Sequence, residues 1–235
     1  MTESAFLVNE SGSGRAERLL DSAAELLLRW GYQRVTIDDV AKHAGIGKGT
    51  VYLHFRTKDA LFLTVLLRSH RRLSAALIER IEADPLEMLP SRMLRGSYLD
   101  VAADPVARVL YLGDAEVLGR LVHEAGETLG AIAARRTEVQ RGYLTRLREV
   151  GALRTDLSVD GQLAVLTAVG VGFFMSADAG TDPAVQADLL AHTVAAALET
   201  ADPSPAALSA GSAGVVAGLQ SFVALIDEEW RRRVR

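Results

Sequence analysis

The sequence predicts an all-α chain: a small N-terminal three-helix module containing a helix-turn-helix, followed by a larger helical body. Three observations carry this. Apolar residues recur with helical period almost everywhere, no stretch alternates with the period of a strand, and all six prolines fall after residue 80, mostly at the ends of periodic runs. A chain of 235 residues is long enough to bury a large core without metal or disulfide, and it has no cysteine to supply either. That absence fits a reducing cytoplasm.

The elements follow in order. Ala16, Leu19, Leu20, Ala23, Leu27 and Trp30 share one face of a helix over 14–30, which Gly31 should stop. Residues 1–13 are expected to be a flexible tail. Two short helices follow, at 36–43 and 47–54. Longer ones are expected at 57–82, 86–102, 105–118, 121–149, 159–178 and 183–200, with Pro90 placed to kink or split its own. Residues 201–213, rich in Ala, Ser, Pro and Gly, read as a linker to a last helix over 214–233. The expected division is therefore a tail, a module over 14–56 and a body over 57–235. The uncharged run from Gly161 to Ala177 is too short to span a bilayer and is expected to be a helix buried on all sides, so no membrane is implied.

Thr36 opens Thr-Ile-Asp-Asp, a capping-box pattern, with Val35 and Val40 at the positions of a hydrophobic staple. Gly45 supplies the positive φ of a tight turn. Val51 and Phe55, four apart, should pack inward and leave Lys48, Thr50, Tyr52 and His54 largely on other faces. Lys48 and Lys58 stand in the first turns of their helices, where the dipole favours acids; beside a phosphate the same placement is favourable. Gly49 weakens its helix but permits close approach of a partner. Charge supports a polyanionic partner. The chain carries a net −4, but residues 34–72 hold eight Lys/Arg against three acids, a net +5 that leaves −9 elsewhere.

The stretch from Val35 through Thr-Ile-Asp-Asp-Val-Ala-Lys-His-Ala-Gly-Ile-Gly-Lys-Gly-Thr-Val-Tyr-Leu-His-Phe-Arg-Thr-Lys-Asp-Ala to Leu61 resembles the DNA-binding signature of the TetR family, and the similarity covers residues 15–65. Glu149-Val-Gly-Ala-Leu-Arg-Thr-Asp-Leu is a second, weaker echo, similar to the family's connection before its dimerising helices. Gly47 departs from the family, which often has Ser or Ala there. The resemblance implies that Thr36 and Lys58 hold phosphates and that Lys48, Gly49, Thr50, Tyr52 and His54 lie in or against the major groove of double-stranded DNA. It implies a homodimer on a palindromic operator, through the helices over 159–178 and 183–200. Gly161, Gly170 and Gly172 are the expected close approaches there, and Phe174 an anchor. It also implies a small, largely apolar effector in the body, with Met88, Met93, Arg95, Tyr98, Arg108, Tyr111, His123 and Phe173 as candidate contacts. The function implied is a ligand-released regulator, by family habit a repressor. The alternative is a small-molecule-binding helical protein, or an enzyme, with a non-functional DNA-binding motif.

Other motifs fail. Gly45-Ile-Gly-Lys-Gly-Thr lacks the third glycine of a dinucleotide loop and the Lys-Ser/Thr pair of a P-loop. His123-Glu124 lacks the second histidine of a zinc protease, since Glu127 stands in its place. No cofactor, metal or catalytic residue is expected. The terminal Trp230-Arg-Arg-Arg-Val-Arg reads as a solvated basic helix end.

Overall fold

A computed structural model describes residues 3–112, 126–176 and 180–233. Helix α1 (Glu3–Arg34) is interrupted at Gly31, whose φ of 72° breaks the helical path where the sequence placed a stop. It begins at Glu3 rather than at 14. A helix already nucleated by the buried Ala16–Leu27 face extends backward at little further cost, and the expected tail continues it. Helices α2 (Ile37–His43), α3 (Lys48–His54) and α4 (Lys58–Ala83) fall within a residue or two of expectation.

The expected helix over 86–102 divides. Asp84 accepts the Leu86 N–H at 2.9 Å to start a 3-10 turn at Pro85–Met88, and Pro90 then opens α5 (Pro90–Ala103). Next come α6 (Pro105–Leu112), α7 (Gly126–Glu149), α8 (Val159–Met175), α9 (Pro183–Leu198) and α10 (Pro205–Arg233).

The predicted linker at 201–213 is corrected. Helix α10 starts at Pro205, with Ser204 accepting from Ala207 N at 3.4 Å and Leu208 N at 3.0 Å. Ser-Pro here is a helix start, and the glycines serve packing. A Cβ on Gly211 would lie 3.0 Å from Val150 Cγ1, so the missing side chain lets α10 press against the end of α7. Leu208 is fully buried.

Two cores result. One joins α1–α3 to the first half of α4 through Leu19, Leu20, Val40, Val51, Phe55, Leu61, Phe62 and Leu66, with Val106 and Val109 of α6 closing it. The module's core therefore runs past residue 56. The other fills the body between α5, α7, α8, α9 and α10, where α5 lies most extensively against α9. A third, smaller cluster of Leu63, Leu67, Ile132, Phe222 and Ile226 seals α10 onto α4 and α7. Helix α10 is long and apolar enough to cross a membrane by length and composition. It buries Leu208, Gly211, Val215, Phe222 and Ile226 against its neighbours.

Helix α8 is not buried on all sides. Ala164, Ala168, Val171 and Met175, at i, i+4, i+7 and i+11, form an exposed apolar stripe.

Candidate nucleic-acid interface

The first helix of the motif is held at its start by a complete capping box. Thr36 Oγ1 accepts from Asp39 N at 3.2 Å, and the Asp39 carboxylate accepts from Thr36 N at 2.9 Å and from the Thr36 hydroxyl at 2.6 Å. These bonds to the ionised form hold the Asp39 carboxyl below its usual range. Gly45, at φ 65°, turns the chain, and Ile46 N reaches back to Ala41 O at 2.9 Å. Gly47 caps α3 without a side-chain bond.

Val51 and Phe55 bury as their spacing predicts, rotating Lys48, Gly49 and Tyr52 into solvent, with Thr50 and His54 half-buried at the edges. A Cβ on Gly49 would meet nothing within 4 Å; the glycine leaves open space for a partner. Sequence reasoning missed Leu53, 67% exposed beside Tyr52. Its exposure could have been read from the helical wheel, since it lies opposite Val51 and Phe55.

The cations sort into two groups. Arg68 pairs with Glu17 and Asp21 of α1, Arg71 with Asp227 of α10, and Arg72 with Asp104. Arg34, Lys42 and Arg56 are exposed at the open end of the module. Lys48 lies 2.9 Å from Asp38, and that hydrogen bond and charge raise its pKa. The acid missing from the first turn of α3 is thus supplied by α2. Lys58 sits 4.1 Å above the ring of Tyr32, a cation–π contact that presents it at the start of α4, where Thr57 caps Ala60 N at 3.0 Å. Tyr32 donates in turn to Asp59.

The body holds a cavity of about 170 Å³. Helix α4 contributes His70 and Leu77, α5 Met93, α7 Tyr143, α8 Phe174, and α10 Val215, Leu219 and Phe222. Burial, reinforced by the positive charge of Arg136, lowers the His70 pKa to about 4, so the ring is neutral at neutral pH. Its ring meets Phe222 edge-on at 5.3 Å.

Of the expected effector contacts, Met93 lines this cavity. Tyr98 is one layer behind it, stacked on Phe174 at 5.1 Å. Met88 is corrected to core: its carbonyl accepts from Tyr143 Oη at 2.7 Å. Arg95 is tied at the surface to Asp188 at 2.7 Å, Arg108 is exposed on α6, and Phe173 is half-buried against the body core and is not part of the lining. The side chain of Tyr111 and all of His123 lie outside the described residues. Among the described residues no group of three or more His, Asp or Glu is placed to hold a metal.

Residues 19–65 match the family model for bacterial regulatory proteins of the tetR family. The chain carries a TetR-family DNA-binding domain. Outside this domain the likeness is one of fold. The chain is 28% identical over 95 residues to the uncharacterized HTH-type transcriptional regulator YwcC of Bacillus subtilis, an alignment covering 40% of each protein. It thus spans less than half the length of that curated relative. Two solved structures share the fold over most of this chain at 20% identity. NalD of Pseudomonas aeruginosa, a repressor of a multidrug efflux pump, superposes with a TM-score of 0.62 over 82% of this chain and all of that one. FadR of Bacillus subtilis, in complex with stearoyl-CoA, gives 0.57 over 76% and 96%.

Behind the TetR-type domain, the residues expected at a dimer contact separate. Gly172 is exposed with open space around it, and Gly161 is in the first turn of α8 beside Ser158. Gly170 is corrected to interior, facing Leu94 at 3.9 Å, and Phe174 points into the cavity. The exposed apolar side chains on these helices are instead Val171 and Met175 of α8 and Val185 and Leu189 of α9.

Proposed function

We propose that this chain is a ligand-responsive transcriptional repressor: a homodimer that reads a palindromic operator with α3 and releases it when a small molecule fills the cavity. The observation that carries the reading is the surface of α3. Packing uses Val51 and Phe55, while Lys48, Tyr52 and Leu53 stand out from a helix too short to be stable alone. A recognition helix presents such side chains to base edges and phosphates. Lys48 suits guanine O6 and N7, and Leu53 or Thr50 a thymine methyl; Thr36 and Lys58 flank it as phosphate contacts.

Helices α8 and α9 support the dimer, because their exposed apolar stripe is what a two-fold partner would cover. Ligand response is supported by continuity. Helices α4 and α10 both wall the cavity and both reach the reader's core, α4 through Leu61–Leu66 and α10 through Trp230. Val215, Leu219, Phe222, Ile226 and Trp230 form one stripe along α10. A ligand that binds one spacing of the two readers better than the other shifts the equilibrium by that difference in affinity. Such a regulator works in the cytoplasm, where the DNA is. The cavity is close in size to an engineered one of about 150 Å³ that holds benzene. It suits a much smaller body than the long acyl chain in the FadR complex.

Mobility shift with the DNA flanking the protein's own gene tests the reading. Specific retardation should weaken steeply as salt rises, because each neutralised phosphate releases counterions. Intact dimers that retard no such fragment at low salt would favour a small-molecule-binding protein with a silent motif.

A further inference from the structure

The cavity's polar groups are unevenly provided for. Helix α7 carries several arginines, and most have a protein partner: Arg135 pairs with Glu138, Arg141 with Asp160, Arg146 with Glu149, and Arg148 donates to Leu157 O. Arg136, at the cavity mouth, has no carboxylate within ion-pair distance among the described residues. Gln140, four residues on and so on the same face, also lines the cavity, as does Ser97 of α5; neither side chain bonds to a described residue.

The remaining polar groups are committed or neutral. Tyr143 Oη donates to Met88 O, the Ser74 hydroxyl donates to His70 O at 3.0 Å, and His70 carries no charge at neutral pH. Among the described residues no Asp or Glu lines the cavity. Burial, reinforced by the charge of Glu199, raises the Tyr143 pKa, and Glu199 is itself held by Ser91 N and Oγ at 2.7 and 3.1 Å. Of the open groups Arg136 is a cationic donor, and Gln140 and Ser97 can each donate or accept, over an apolar chamber with aromatic walls.

The geometry points to an anionic ligand with a single-ring apolar body: a carboxylate held at the mouth by Arg136, Gln140 and Ser97, with its ring between Phe174 and Phe222. The class rests on reading the cavity as the effector site. A carboxylate offers acceptors that match a guanidinium and an amide together, and charge-assisted bonds are the stronger ones. A neutral ligand would forgo the charge-assisted bond that Arg136 offers. An ammonium would stand beside a guanidinium in a chamber whose described lining holds no acid.

The test is calorimetric titration of the full-length protein with three probes of one shape: 3-phenylpropionate, 3-phenylpropionamide and 3-phenylpropylammonium. The carboxylate should bind about tenfold more tightly than the amide, with the ammonium weaker still. Arg136→Met, at an exposed position where folding is not at stake, should remove the carboxylate's advantage and leave the amide within about twofold. Equal affinity for the carboxylate and the amide, an advantage that survives Arg136→Met, or no binding of any probe by the wild-type protein would each overturn the class. Mobility shift with the same probes separates the two readings. Arg136-dependent carboxylate binding without release of DNA supports the ligand class and overturns the regulatory role of the site. Release of DNA by the ammonium as readily as by the carboxylate overturns the class.

Discussion

The recognition helix and the α8–α9 face both expose apolar side chains that a folded chain normally hides, yet they differ in what surrounds them. Exposed Tyr52 and Leu53 share α3 with Lys48, and exposed Arg56 follows just after it. On α8 the exposed stripe ending at Met175 (71% exposed) has no charged neighbour on its own helix after Asp160, and Val185 and Leu189 extend it on α9, where the neighbouring Asp188 is paired with Arg95. A cationic, aromatic-bearing ridge is complementary to a polyanion with base edges. An uncharged stripe is complementary to a copy of itself. Two exposures of similar extent thus suit opposite partners, and the surrounding charge decides between them.

The largest effect should come from breaking the uncharged face. Full burial of a side chain such as Leu189 or Val171 contributes roughly 1.5–3 kcal/mol, counted twice in a symmetric contact. Leu189→Arg should therefore yield monomers by light scattering at micromolar concentration, with helical circular dichroism intact. Because one short recognition helix contacts too little DNA alone, operator affinity should fall by about 100-fold or more. Monomers that still bind the operator at wild-type strength would break the comparison.

The two regions also titrate differently. In the body, His70 is buried neutral with a pKa lowered to about 4, so the unfolded chain takes up a proton that the folded one refuses. Stability attached to this group is fully present above the unfolded pKa near 6.5 and is lost as pH falls toward 4, up to about 3 kcal/mol. Urea melts from pH 7 to pH 4.5 should show this slope in the wild type and a shallower one in His70→Phe. Equal slopes would remove His70 from the account.

On the reader, Lys48→Ala should weaken operator binding about tenfold and reduce the slope of log affinity against log salt by about 1. The dimer should be unaffected, because Lys48 pairs with Asp38 of the reader itself. Smallest is the cap. Thr36→Ala should cost about 1 kcal/mol in a thermal melt near neutral pH. Asp39, with its carboxyl held below the ordinary range, contributes stability above its unfolded pKa and loses it as pH falls through the folded one. The difference between the wild type and Asp39→Ala should accordingly shrink in acid.

The reader was legible because its signals are local. A capping box, a turn glycine and two inward residues four apart each act within a few positions, and all three stand where the sequence placed them. Charge counting located the module but overstated it, since Arg68, Arg71 and Arg72 are spent on acids of α1, of α10 and of the junction between α5 and α6 that lie far away in sequence. The cavity was mostly illegible. Its wall is assembled from five helices between His70 and Phe222, and no local period distinguishes Phe174, which lines it, from Phe173, which does not. Helix α10 was misjudged over its first third because small residues that allow close packing share a composition with linkers.

The most direct measurement is sedimentation equilibrium of the protein on a duplex bearing its operator, with Leu189→Arg alongside. Two protomers per duplex for the wild type, with binding that falls steeply in salt, and no complex for the variant at the same concentration is the predicted result. One protomer per duplex, or a variant that binds as well as the wild type, would contradict the assignment of α3 to DNA and of α8–α9 to self-association.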